Sequence, residues 1–365
     1  MWQLIILFFI LLFLILVFVR FKMLPQFGAK STGEALKKIK KSKNFYHGKF
    51  HNISTVEVTR NFKVKSMLNF SAKHDATPNS PLPFYSNSIS DVSENHDIKF
   101  TWFGHSAVLL ELNQKKIFLD PMLTNVPAPI KNNLMKRFPT EHPIEIDKLP
   151  EIDIVLISHD HYDHLDHKTI IQIKDRVKMF VVPLGVGTHL KQWGISHSKI
   201  IEFDWWEENK IDGIQFIAAP SHHYSGRSIF DRNRSLWCSW IIKTNEFNVY
   251  FSGDSGYHSI FKEIGERFGP FDLTFLECGQ YHEERAEFHM LPEQTVQAHL
   301  DLKGEFLMPI HWGAFNLSKH SWFESAERIA IASEGYQVKL ITPKLGEMVE
   351  IGKVESFSRW WREVQ

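Results

Sequence analysis

The densest chemistry in the chain is the run Ser158-His159-Asp160-His161-Tyr162-Asp163-His164-Leu165-Asp166, which directly follows the apolar stretch Ile154–Ile157. A strand end is a rigid mount, and the loop leaving it can aim several side chains at one point. His159 and His161, two residues apart, can hold one metal ion through imidazole nitrogen, while Asp163 and His164 turn toward a second. Zinc accepts this mixture of nitrogen and oxygen ligands and keeps an open position for water when it is catalytic. Three later segments end in the same ligand types: Pro220-Ser221-His222-His223, Ser252-Gly253-Asp254-Ser255-Gly256 and Pro309-Ile310-His311-Trp312-Gly313. Grouped by type, His159, His161 and a histidine of the 222–223 pair, taken as His223, make one site. Asp163, His164 and His311 make the other, and Asp254 bridges them.

These ligands need elements to carry them. From Ile98 onward, β-branched and aromatic runs alternate with helical patterns. Strands are expected at Phe100–Phe103, Val108–Leu112, Lys116–Leu119, Ile154–Ile157, Met179–Val182, Ile214–Ala218, Ser239–Lys243, Val249–Phe251, Leu273–Leu276 and Phe306–Met308. Helices are expected near Lys168–Lys174, Thr188–Trp193, Ile260–Arg267, Glu293–Asp301 and Glu324–Glu334. Several strands follow one another without a helix between them, which favours two sheets covered by helices over a doubly wound sheet.

The pattern His159-x-His161-x-Asp163-His164, with the later His, Asp and His, resembles the metallo-β-lactamase superfamily. Longer strings narrow the resemblance. Trp102-Phe103-Gly104-His105, Asp120-Pro121, Asp204-Trp205-Trp206-Glu207-Glu208, Gly253-Asp254-Ser255-Gly256-Tyr257 and Ile310-His311-Trp312-Gly313 are similar to the N-acylphosphatidylethanolamine-hydrolysing phospholipase D family. The resemblance runs from about Thr101 to Ser321. It implies an α/β fold of the αβ/βα four-layer sandwich type, with two Zn2+ ions at His159, His161, Asp163, His164, His223, Asp254 and His311. It also favours His223 over His222 and places His289 near a substrate phosphate. The implied reaction is attack on phosphorus with Asp163 or Asp254 orienting the nucleophile, and His289 protonating the leaving oxygen or binding the phosphate. The segment Leu276 to Glu284 is more charged than the family pattern. His105 is read evenly as a partner to a ligand or as a satisfied core histidine.

The fold and metal set do not fix a substrate, so a hydrolase of a soluble lactone or nucleotide phosphodiester is the alternative. A non-catalytic membrane component with structural zinc is a third reading, disfavoured because structural zinc is closed by four protein ligands. Lys plus Arg equals Asp plus Glu at 42 each, so no global field recruits nucleic acid. Cys238 and Cys278 cannot make the disulfide framework of a small secreted protein, which favours a reducing compartment.

Trp2 to Val19 is apolar except for Gln3, long enough to cross a bilayer, and it ends in Val19-Arg20-Phe21-Lys22 rather than a cleavage site. The expected organisation is a transmembrane anchor over 1–22, a basic juxtamembrane segment and linker over 23–97, a catalytic domain over 98–352 and a C-terminal tail over 353–365. Between Arg20 and Lys65 twelve Lys or Arg face only Glu34 and Glu57, which places the domain on the cytoplasmic side and near anionic head groups. The expected partners are a bilayer and a membrane phospholipid substrate; a homodimer is compatible with the sequence. An anchored chain stays in the membrane pellet after alkaline carbonate extraction, and release of the intact protein would remove the anchor.

Overall fold

The structure is a computed structural model. It describes residues 24–53, 75–85, 98–130, 132, 135–282, 287–353 and 356–364, together with 2, 5–10, 12 and 13. The anchor expected over 1–22 lies largely outside the described residues. Among those described, no helix is long and apolar enough to cross a membrane, so the transmembrane part of the expected architecture finds no support in the fold.

After a two-stranded hairpin, β1 (Phe45–Tyr46) and β2 (Lys49–Phe50), the chain builds two seven-stranded sheets. The first contains β3 (Lys99–Trp102), β4 (Val108–Leu112), β5 (Lys115–Leu119), β6 (Ile152–Leu156), β7 (Val177–Pro183), β8 (Ile200–Phe203) and β16 (Met348–Glu350). The second contains β9 (Glu208–Ile211), β10 (Ile214–Ala219), β11 (Ser239–Lys243), β12 (Asn248–Phe251), β13 (Phe271–Glu277), β14 (Gly304–Ile310) and β15 (Lys339–Leu340). Their spatial orders are β16-β3-β4-β5-β6-β7-β8 and β15-β14-β13-β12-β11-β10-β9. Each sheet is antiparallel over four strands and parallel over the rest.

The inner faces meet through rings such as Phe100 and Phe275, 5.1 Å apart, and Phe203 and Trp240, 5.3 Å apart. Helices Pro292–Asp301 and Glu324–Tyr336 pack together over β13, β14 and β15, and Val186–Gln192 packs on β7 and β8. The central strands are covered on both sides, so β12 and β13 are buried at nearly every residue rather than at alternate ones. The result is the mixed α/β sandwich the element pattern implies.

Every strand and helix expected from Ile98 onward is present, with boundaries shifted by a few residues at most. The strands not foreseen are short or polar. In β9 three of four residues are polar and exposed, so no hydrophobic period marks it. Its partner β10 follows a two-residue turn, Asp212-Gly213, with positive φ at both positions, and that dipeptide is a hairpin signal in its own right.

Two stretches beyond the sheets are tied into the domain. Helix Gly33–Lys41 lies in the basic segment, with Ile39 buried and its lysines outward, and Phe50 is fully buried. In the segment expected as a tail, Trp360 and Trp361 are buried against Trp312, with ring centroids 5.5 and 5.8 Å away. Glu327 holds this segment by accepting from Trp361 Nε1 and Arg362 Nε, both at 3.0 Å. Truncating Trp361→Ala is expected to cost about 3–5 kcal/mol, as for other buried Trp deletions. Urea unfolding monitored by circular dichroism checks this, and an unchanged midpoint would show that the segment is dispensable.

Candidate functional site

The carboxyl ends of β5, β6, β10, β12, β13 and β14 come together at one rim of the sandwich. Each of these strands delivers one or more polar residues there: Asp120, Ser158-His159, His222-His223, Asp254, Glu277 and His311. Close backbone approach is what permits it. A Cβ on Gly253, whose φ is +54°, would lie 2.4 Å from Ser158 Cβ, and one on Gly279 would lie 1.6 Å from the His311 carbonyl oxygen. Both positions therefore require glycine.

All seven residues expected as metal ligands meet, in two sets. In the first, His161 Nδ1 is 2.9 Å from His159 Nε2 and 3.2 Å from His223 Nε2. Asp254 Oδ2 faces this set, 3.8 Å from His159 Nε2 and 3.5 Å from His223 Nε2. In the second set, Asp254 Oδ1 is 3.1 Å from His164 Nε2 and 3.3 Å from His311 Nε2. Asp163 Oδ2 closes it, 3.7 Å from His164 Nε2 and 3.4 Å from His311 Nε2. The two oxygens of Asp254 thus serve the two sets separately. His222 is buried against His258 and Phe288 and belongs to neither.

The donors suit a cation. His164 Nε2 and Asp254 Oδ1 are buried without a hydrogen-bond partner, and lone-pair-bearing atoms converge within 4.8 Å in the first set and among Asp163, His164 and His311 of the second. Buried polar atoms carry a desolvation penalty unless something satisfies them, and a divalent ion held by these donors would do so.

A surrounding layer fixes the ligands. His164 Nδ1 donates to Asp120 Oδ2 at 2.7 Å, and Asp120 also accepts from the Ser158 amide at 2.7 Å and the Ser158 hydroxyl at 2.5 Å. His105 Nε2 donates to Asp163 Oδ2 at 3.0 Å, which makes it a ligand's partner rather than a core histidine. Glu277 is fully buried; its Oε1 accepts from the Met290 amide at 2.7 Å while Oε2 lies 3.5 Å from Nδ1 of both His311 and His289. Asn52 brackets His223, accepting from its amide at 3.2 Å and donating to its carbonyl at 2.9 Å. His289 stands at the edge, its ring parallel to that of His311 at 5.3 Å.

Of these, Asp120, Glu277 and Asn52 are not among the site residues expected from the sequence, Asp120 entering there only through the Asp120-Pro121 string. Glu277 had a signal, since an acid closing a fully buried apolar strand is costly unless it has a polar task. Asn52, 171 residues from His223, had none.

Three site residues are held at positive φ: His105 at 54°, Asp120 at 37° and His311 at 71°. Such conformations are uncommon outside glycine and cost energy. Mutual backbone bonds retain two of them, the His105 amide donating to the Trp312 carbonyl at 2.7 Å and the His311 amide to the His105 carbonyl at 3.0 Å.

Charge divides the histidines into two kinds. Burial, reinforced by neighbouring imidazoles, holds His159 and His223 well below the ordinary value, so both are neutral and have a lone pair to offer a cation. Burial would also lower His164, but Asp254, Asp163 and Asp120 override it and raise it well above normal. His311 is likewise pushed up to about 9, Asp254, Asp163 and Glu277 outweighing its burial. Burial would raise the carboxyls of Asp163 and Asp254, yet the adjacent His164 above all holds both well below the usual range.

A family profile described as a β-lactamase superfamily domain matches residues 115–312, more than half the chain. The protein belongs to the metallo-β-lactamase superfamily and is a metal-dependent hydrolase. An uncharacterised protein of Mycobacterium tuberculosis strain H37Rv is 38% identical over 80% of this chain and 79% of its own. An N-acyl-phosphatidylethanolamine-hydrolyzing phospholipase D of Caenorhabditis elegans is 29% identical over 74% of this chain and 81% of its own. The mitochondrial enzyme so named in Saccharomyces cerevisiae is 32% identical over 68% of this chain and 54% of its own. Among solved structures, a metallo-hydrolase of Ignicoccus hospitalis shares the fold, with TM-score 0.54, 24% identity and coverage of 70% and 98%.

With carboxylates keeping His164 and His311 protonated when no metal is bound, metal uptake must expel protons. At neutral pH loading should release protons from these imidazoles, and affinity should rise with pH until they titrate. Calorimetry in buffers of different ionisation enthalpy measures this, and heats independent of buffer would contradict it. Replacing Asp120→Ala should weaken metal binding about 10–100-fold, read by competition with a chromophoric chelator.

Proposed function

We propose that the protein is a zinc-dependent phosphodiesterase of the phospholipase D type, hydrolysing N-acylphosphatidylethanolamine to N-acylethanolamine and phosphatidic acid. The observation that carries the reading is the bridging arrangement at Asp254, with two ligand sets sharing one carboxylate and His289 beside them. The two relatives named as phospholipases support the substrate class. Sets of three histidines with Asp254, and of two histidines with Asp163 and Asp254, are the borderline nitrogen and oxygen donors that zinc prefers.

When bound, two zinc ions supply Lewis acidity and acidify water enough for it to attack at neutral pH. Against the two divalent cations stand Asp163 and Asp254, so the site is net positive and complements a phosphodiester monoanion. Asp163 is oriented by His105 and Asp254 by its divided contacts, so each can align an attacking water without rotating. Attack on phosphorus forms one P–O bond and breaks the other, releasing the acylethanolamine oxygen. Glu277 faces Nδ1 of His289, so with a proton on each ring nitrogen the opposite one can give its proton to that oxygen, or donate to a phosphoryl oxygen. The catalytic assignments are therefore Asp163, Asp254 and His289. The apolar N-terminal run and the lysines after it would keep a cytoplasmic-facing domain at its lipid substrate.

Purified full-length protein in detergent, given N-acylated or plain phosphatidylethanolamine, should produce phosphatidic acid from the N-acylated lipid. Mass spectrometry reads the products, and no phosphatidic acid from either lipid rejects the proposal. Replacement of His289→Asn should lower kcat about 10²–10⁴-fold with the metal content intact, the range for a lost general acid. Unchanged turnover would remove His289 from the mechanism.

A further inference from the structure

The loop between β10 and β11 carries two apolar side chains that the hydrolytic site does not use. Ile229 is 88% exposed and Phe230 54%, and they are adjacent. Asp231 Oδ1 accepts from the amides of Arg227 at 3.1 Å and Ser228 at 2.7 Å, so the turn itself is fixed. Exposed arginines follow at 232 and 234.

Arg232, two residues past this pair, sits one side chain away from the histidine cluster. The Arg232 guanidinium lies 4.2 Å over the Tyr224 ring, which is 4.6 Å from the ring of His161 and 4.7 Å from that of His223. The loop also sits where the N-terminal part of the chain reaches the domain. Arg227 Nε donates to the Gln26 carbonyl at 2.8 Å, and Trp193 Nε1 donates to that of Pro25 at 2.7 Å. Phe230, Lys30, Leu36 and Arg234 line one cavity of about 510 Å³. Over residues 24–53 there are seven lysines and one acid, Glu34.

An exposed apolar pair beside Lys30, Arg232 and Arg234, with the neighbouring Asp231 turned onto its own loop's amides, matches one kind of surface: acyl chains beneath anionic head groups. A second copy of the chain fits worse, because a two-fold contact would set the same lysines and arginines against each other. We propose that Ile229 and Phe230 insert into an anionic bilayer surface, with Lys30, Arg232 and Arg234 at the phosphate level, turning the metal centre toward the lipid. Only the reason for that orientation rests on the phospholipase reading; the insertion does not.

The test uses the full chain in vesicles of phosphatidylcholine and phosphatidylserine. Cys238 and Cys278 are buried, so a thiol-reactive fluorophore on Ile229→Cys, or on Phe230→Cys, labels the loop alone. A label on Ile331→Cys, which is 56% exposed on helix Glu324–Tyr336, is the reference. Loop labels should be quenched by lipid-borne nitroxides and be severalfold less quenched by iodide than the reference. Iodide quenching equal to the reference overturns the proposal, as does shielding that follows protein density in the vesicle rather than phosphatidylserine content. Insertion without phosphatidic acid production would refute the phospholipase reading and leave the docking surface standing.

Discussion

The rim of this sandwich is organised around one carboxylate. Asp254 turns its two oxygens to different histidine sets, and neither set is complete without it. A carboxylate so placed cannot rotate without abandoning one set, so the strand that carries it, β12, must be held rigidly. It is, by full burial of all four residues between an antiparallel neighbour and a parallel one. The cost of gathering so many polar groups in a buried place is offset only when cations occupy the sets, which ties the site's stability to metal binding.

The outer layer of contacts explains why the ligands keep their directions. Asp120 fixes one ring nitrogen of His164 and so commits the other to the metal side. His105 does the same for a carboxylate, and Glu277 faces two imidazoles at once. These partners sit at strand ends or on backbone held at positive φ, and the contacts between the His105 and His311 loops are what retain that strained backbone. The site therefore depends on loop-to-loop backbone bonds as much as on the ligands themselves.

How much of this could be read from residues alone follows from range. The ligand runs and the strands before them are local patterns, and a buried strand announces itself by composition, so Ile154–Ile157 and the loop after it were legible together. The choice between His222 and His223 was not a local matter. It depended on the resemblance, and the structure turns only the second toward the cluster. Asn52 and the Trp360-Trp361 pair act over long sequence separations, where no periodicity connects cause and effect. Strand β9, polar because it is an edge, was invisible to a search for hydrophobic alternation.

The matching strand orders of the two sheets have a further meaning. One half of the chain contributes His159, His161, Asp163 and His164, and the other contributes His223, Asp254 and His311. Each set of donors draws on both halves, so an ion held there would act as a rivet across the seam between them. Slippage of one half against the other by a fraction of an ångström would empty the rivet holes before it unfolded either half. Loss of metal is then the earliest symptom of a loosened seam, whichever residue along it was disturbed.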